Sequence, residues 1–345
     1  MKSTSEVTIY DIAKALNISP STVSRALKDH PHIKKETKRK IIATAGEMGY
    51  RHNNFASNLR QRRSNTIGVV VHRLDSYFIA SVFSGLEKVA SENGYGLIIS
   101  QSQESWRKEI LCASTLFNSR VDGLIVSLAF DTKNFEHFNI FIKKDIPVVF
   151  FDRVADCHEC IRIVIDNYKA AYEATSHLIA QGCRRIVHIG GNMLRNVYSE
   201  RLSGFKKALA NNNIEFTKDL LFITDMSEKD AIEVAGKILR MKPRPDGVFA
   251  SNDTTAVSII VELEKAGVAV PGDIAVVGFN NDPISRVVKP NLTTIHYPAK
   301  EMGEVAAASL IGLLKNSQVS SLSTIVLKHN LIIRNSSIKQ ISHNS

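Results

Sequence analysis

Between Thr8 and Met48 the apolar residues recur at helical spacing in three short bursts. Ile9, Ile12, Ala13 and Leu16 share one face behind Thr8, which can cap a helix whose third position is Asp11. Asn17-Ile18-Ser19 makes a turn, Ser19 is a second N-cap, and Pro20 stands at the first helical position, where its missing N–H costs nothing. Val23, Ala26 and Leu27 then point inward, leaving Ser21, Thr22, Ser24 and Arg25 outside. A third helix is predicted from about Lys35 to Met48, with Ile41, Ile42, Ala45 and Met48 as its buried stripe and Gly49 as its stop. Together these predict an all-α helix-turn-helix head over residues 1–52.

From Thr66 the texture changes to short, continuous apolar runs separated by helical periods. Strands are predicted at Ile67–Val71, Gly96–Ser100, Leu124–Ser127 and Val148–Phe151, with helices near Ile79–Asn93, Trp106–Asn118 and Asn134–Lys144. Such strands imply a parallel sheet covered on both faces. The pattern repeats from Ile163, with strands at 163–165, 186–189, 221–223, 248–250 and 275–277 and helices near 168–181, 200–212, 229–240 and 255–266. An α/β body of two doubly wound parallel-sheet lobes follows. Lobe 1 is expected over about 66–160 plus 296–334 and lobe 2 over about 161–295, with a polar tail at 335–345. Small ligands bind such bodies in the crevice beyond the strand ends.

Charge separates the two parts. Residues 1–64 hold 13 Lys/Arg against 5 Asp/Glu, a net of +8 out of the chain's +10. A polyanion would therefore dock on the head. Residues 53–65 form a hinge and linker, in which Asn54–Arg60 is too short to be a stable helix alone. No stretch resembles a signal peptide or approaches the roughly 18 apolar residues of a membrane span, which places the chain in the cytoplasm. The four cysteines form no disulfide framework, and the lone C-x-x-C at Cys157 and Cys160 has no second pair to complete a metal site. Reduced thiols and no metal are expected. Gly190-Gly191 fits neither phosphate-binding glycine loop, and no catalytic set stands out, so neither a cofactor nor an enzyme is expected.

The outward residues of the second helix suit a major groove. The hydroxyls of Thr8, Ser19, Ser21, Thr22 and Ser24 can reach phosphates or bases, Arg25 a base edge or phosphate, and Lys34 and Lys35 the backbone. These features also carry a resemblance. TIYDIAKALNISPSTVSRAL, the M-G-Y that ends the third helix, and the hinge pattern N-x-x-A-x-x-L resemble the DNA-binding head of the lactose-repressor/galactose-repressor (LacI/GalR) family of bacterial regulators. DGLIVSL, VVFFD, IVIDN, RRIVHIGG, ERLSGF, GVFASND, AVVGFNN and NLTTIHYP resemble, in order and spacing, the periplasmic-binding-protein-like body of the same family.

The resemblance implies that the hinge folds on operator DNA, with Asn54, Ala56 and Leu59 at the minor groove and Leu59 as a wedge between base pairs. It implies an effector cleft at the strand-end loops, formed by Asp152, Arg201, Asn252 and Asn280, with Phe78, Arg195 and Tyr198 within reach. Asp166 could also contact the ligand but reads more readily as a helix cap, and Asp253 likewise reads as structural. Relatives commonly carry an aspartate where this chain has Asn280, and Asp282 stands one turn position away. The function implied is a homodimeric, sequence-specific regulator of double-stranded operator DNA, controlled by a sugar-like effector or alternatively a sugar phosphate. A solute-binding protein with the same body is the competing reading. No membrane partner is expected.

Overall fold

The computed structural model describes residues 7–27, 29–50, 63–315 and 323–339. The chain divides into two compact units, Met1–Ser64 and Asn65–Ser345.

Among its described residues the first unit has three helices, α1 (Ile9–Ala15), α2 (Pro20–Leu27) and α3 (Lys35–Glu47). The Thr8 amide and hydroxyl both donate to Asp11 Oδ2, at 2.8 and 2.7 Å, and the Thr22 amide donates to Ser19 Oγ at 3.2 Å. Both helix starts thus satisfy backbone groups that no helical carbonyl reaches. Ile12, Val23 and Ile41, one from each helix, are fully buried and meet Ala13, Ala26 and Ala45. Ile42 is 58% exposed, against the expectation that it joins the stripe. Ile41 and Ala45 already fill the inward face at i and i+4, and the next residue along is rotated about 100° away from it.

The second unit contains two six-stranded sheets. The first has the order β11-β5-β4-β3-β1-β2 and the second β12-β10-β9-β8-β6-β7. In the first sheet β1 is Thr66–Val71, β2 Gly96–Gln101, β3 Gly123–Val126, β4 Val148–Phe151, β5 Ile161–Ile165 and β11 Thr324–Leu327. In the second, β6 is Ile186–Gly190, β7 Leu221–Ile223, β8 Gly247–Ala250, β9 Ala275–Asn280, β10 Thr293–His296 and β12 Asn330–Ile332. All recorded pairings are parallel except β10 with β12.

The strand order corrects the expected lobe limits. β5 pairs with β4 through Val149 and Ile161 and so completes lobe 1, whereas β12 pairs with β10 and belongs to lobe 2, where β10 was expected. An apolar strand reads the same whichever open edge it joins, so alternation could not assign β5 and β12. The chain consequently crosses between lobes three times: after β5, after β10 at Tyr297, and between β11 and β12. The supposed tail also packs down: Ser336 and Ser337 are fully buried, with Ser336 Oγ donating to the Val276 carbonyl at 2.6 Å. Hydrogen bonds of this kind let a polar segment be buried at little cost.

Two further differences are local. Residues 134–144 form only a 3₁₀ turn, Glu136–Phe138, and a single helical turn, Asn139–Ile142, pinned by the fully buried Phe138 and Phe141. Cys157 and Cys160 are disulfide-bonded rather than reduced, their α-carbons 5.4 Å apart. Within lobe 1 the helices Tyr77–Glu92 and Ala299–Lys315 touch backbone to backbone. A Cβ at Gly303 would lie 2.0 Å from the Val82 carbonyl oxygen, so glycine is what permits the seam.

Candidate functional site

The carboxyl ends of β1, β3 and β4 in lobe 1 face those of β6, β8 and β9 in lobe 2 across a cavity of about 540 Å³. This lies where open parallel sheets place ligands, and its size is that of a small-molecule site. Phe78, Asp152, Tyr198, Arg201, Asn252 and Asn280 all line it.

Arg201 is the most confined of the set. It falls in the second turn of the helix Asn196–Asn211, which begins four residues earlier than the pattern suggested. Its Nε donates to Asn167 Oδ1 and its Nη1 to the Ser251 carbonyl, both at 2.9 Å, and its guanidinium lies 3.6 Å from the Phe279 ring centroid. That stacking holds the planar group in one orientation. Asp152, 5% exposed and in the left-handed region at φ 57, accepts from the Tyr297 hydroxyl at 2.8 Å. Burial pushes its carboxyl above the usual range, while the nearby Arg153 and Arg201 oppose that shift. Tyr198 depends on a glycine behind it: a Cβ at Gly191 would sit 2.6 Å from its Cζ. Phe78 packs against Tyr297 at a tilt of 38°, with ring centroids 4.7 Å apart.

Asn252 has a structural task as well. It caps the helix Asp253–Lys265, accepting from the Thr255 amide at 2.7 Å. Asp166 caps the helix Asn167–Ala180 in the same way, through the Lys169 amide at 2.8 Å. Asp253 is fully buried, accepting from the Asp282 amide at 2.7 Å and the Thr294 hydroxyl at 2.6 Å.

Arg195 is the residue the cavity does not include. It is the N-cap residue of the helix Asn196–Asn211, 6% exposed, and its Nη2 donates to the Thr132 carbonyl of lobe 1. Its guanidinium therefore ties the two lobes together instead of facing a ligand.

In the head, Arg25, Lys34 and Lys35 are exposed, and none is held in an ion pair among the described residues. The hydroxyls are less free. Ser19 Oγ lies 2.8 Å from both Ser21 Oγ and Thr22 Oγ1, and the Thr8 hydroxyl is bonded to Asp11. Ser24 and Thr22 are half-buried. Asn54, Ala56 and Leu59 lie outside the described residues.

Residues 8–53 match the family described as bacterial regulatory proteins, lacI family, and residues 175–337 match the periplasmic binding protein-like domain. The NTD biosynthesis operon regulator NtdR of Bacillus subtilis is 31% identical over 329 residues, covering 95% of this chain and 99% of its own. The chain belongs to the lacI family of bacterial regulatory proteins. Catabolite control protein A of Priestia megaterium is 29% identical over 331 residues, covering 96% of this chain and 99% of its own. In fold, the lac repressor dimer bound to operator and an anti-inducer superposes with a TM-score of 0.83 at 24% identity, covering 97% of this chain and all of that one. The lacI-family regulator described here is thus a DNA-binding transcriptional regulator, and its relatives are regulators rather than enzymes. Among the described residues no helix is long and apolar enough to cross a membrane.

Several lining residues of this lacI-family cleft escaped the sequence reading. Arg153 is buried, with Nη1 donating to Glu104 Oε2 at 2.8 Å, Nη2 donating to the Tyr198 hydroxyl at 3.2 Å, and its guanidinium 4.2 Å from the Phe130 ring centroid. Arg73 binds Asp75 through both Nε and Nη2, at 2.8 and 2.7 Å. Arg73 and Arg153 come within two residues of a strand end, and that position was the available signal. Glu104 and Asp225 enter from loops whose course the sequence does not show.

Proposed function

We propose that this regulator is a cytoplasmic homodimer which binds a palindromic operator through two heads and changes its grip when a neutral, polyhydroxylated, sugar-like effector enters the cleft. In this reading residues 1–52 read DNA, 53–65 form the hinge, and the two lobes form the sensor. The observation that carries the effector class is the state of the cations in the cavity. Arg73 is matched by Asp75 and Arg153 by Glu104, while Arg201 spends two donors on Asn167 and the Ser251 carbonyl. A sugar phosphate would need free cations to replace its water, and these guanidiniums are already occupied. Hydroxyl arrays instead suit the mixed donors and acceptors of Arg201 Nη2, Tyr198, Asn280 and the cleft carboxylates, and the rings of Tyr77 and Phe78 suit the apolar face of a sugar.

The homodimer is supported by exposed apolar side chains on both faces of the β2 edge of lobe 1. Ile98 and Ile99 on the edge strand β2 and Ile110 and Leu111 on the adjoining helix Trp106–Asn118 are 38%, 44%, 37% and 65% exposed. Such clustering is characteristic of a surface that meets another protein. A single short recognition helix also reads too few base pairs, whereas two related by a dyad read a palindrome.

The test is a thermal-shift screen of the full chain against sugars, sugar phosphates, nucleobases and nucleosides, followed by operator titration with each hit. Stabilisation by neutral sugars with a matching change in operator affinity is expected. Binding by phosphorylated sugars alone, or by nucleobases alone, would reject the effector class.

A further inference from the structure

The cavity is lined by three guanidiniums, Arg73, Arg153 and Arg201, and by six carboxylates. Asp75 and Glu104 are neutralised by Arg73 and Arg153, and Asp152 sits between Arg153 and Arg201. Asp225, Glu228 and Asp282 have no ion-pair partner among the described residues. Asp225 and Glu228 stand exposed at the rim, where water screens them. Asp282 is different, because it is only 8% exposed and is presented just beyond β9.

No cation among the described residues pairs with Asp282, and only the Asn280 side chain is placed to ease its charge, by a hydrogen bond. Asn280, with φ 114, and Asn281, with φ 59, turn the chain so that both Asn280 and Asp282 reach the cavity. Asp253, from the helix packed behind, accepts the Asp282 amide and brings a second carboxyl instead of a cation. Burial holds Asp253 well above the usual carboxylate range. Arg334 is turned away, donating to Asn281 Oδ1, Ser285 Oγ and the Leu292 carbonyl, and His296 faces Asn281 Nδ2. Arg286, on the following turn, makes no ion pair with Asp282. A desolvated carboxylate with no cation of its own is complemented by a cation on the ligand.

We infer that the sugar-like effector carries a protonated amine and that Asp282 is the carboxylate which receives it. The inference rests on the sugar-site reading above and narrows it to aminated sugars. Burial pushes the Asp282 carboxyl up to about 6, against the opposing hydrogen bond from Asn280. The carboxylate therefore forms as pH rises through about 6, and preference for the amine should grow from pH 5 to 7 and then fall as the sugar ammonium itself deprotonates.

The experiment is calorimetric titration of the full chain with matched sets of probes: hexoses, their 2-, 3- and 6-amino-deoxy derivatives, and the N-acetylated forms of those amines. At pH 7.5 one aminated sugar is expected to bind at least about tenfold tighter than its parent, with acetylation abolishing the gain. Asp282→Asn should erase the preference, and the wild-type pH series provides the same test without a variant that has to fold. Equal or tighter binding of the parent hexoses would overturn the amine while leaving the sugar site standing. A preference that persists in Asp282→Asn, or is flat from pH 5 to 7, would overturn the role of Asp282. Failure of every probe, aminated or neutral, would overturn both the inference and the sugar reading beneath it.

Discussion

In the head, Arg25, Lys34 and Lys35 stand in solvent with no carboxylate among the described residues to hold them, whereas in the cleft Arg73, Arg153 and Arg201 are each already bonded to the protein. The two surfaces thus use the same residue types for opposite ends. Free, hydrated cations attract a polyanion over long range and release its counterions, so they contribute affinity without selecting a sequence. Cations fixed by partners and buried contribute little attraction, but they hold donors at set positions and penalise any ligand that fails to match them. In the proposed reading, long-range attraction and exacting fit fall to different units of one chain.

Salt should expose the contrast most strongly. Raising ionic strength from about 50 to about 200 mM is expected to weaken operator binding by about 10³-fold, while effector affinity changes by less than about threefold. Parallel titrations of the two ligands check this, and equal salt slopes would erase the distinction. Next in size, Arg201→Ala should cost about 3 kcal/mol of effector binding by removing a buried charged donor to the ligand, and should separately lower the stability of the free protein, because Asn167 and the Ser251 carbonyl lose their partner. Calorimetry with the best hit of the screen measures it, and an intact affinity would move the site elsewhere.

Smaller effects separate residues within the head. Arg25→Ala is expected to lose about 1 to 3 kcal/mol on the operator but much less on a scrambled duplex, and Lys35→Ala to weaken both alike. Gel-shift titrations on the two duplexes decide, and equal losses for Arg25→Ala would class it with the phosphate contacts. Smallest of all, Ser19→Ala should cost about 1 kcal/mol of head stability by removing the acceptor of the Thr22 amide. Hydrogen exchange at the α2 amides should accelerate while the sheets of the body exchange as before; protection unchanged in α2 would show that the cap is dispensable.

The head was legible from sequence because its determinants are local. Caps, a turn and one apolar stripe per helix all lie within a few residues of each other, and only Ile42 was misassigned, one position off the stripe. The strands of the body were legible for the same reason, since continuous apolar runs mark buried parallel strands. The edge each outer strand joins was not legible, because β5 and β12 choose partners by three-dimensional availability. The cleft was read in part. Asp152, Asn252 and Asn280 sit at strand ends and declare themselves, but Arg195 looks in sequence like any other polar loop residue and turns out to bridge the lobes. Glu104 and Tyr297 become neighbours of the site only after the chain has folded.

The three crossings between the lobes bear on how this sensor can be altered. Its two lobes are not consecutive passages of the chain, so a lobe cannot be transplanted from a relative by one splice. Each exchange has to cut at all three crossings and rejoin β5, β10, β11 and β12 to unfamiliar neighbours. Recombination between such genes would tend to break both sheets at once. New effector preferences are accordingly reached by substitution at the strand ends, with the architecture left whole, and a designer of altered sensors faces the same constraint.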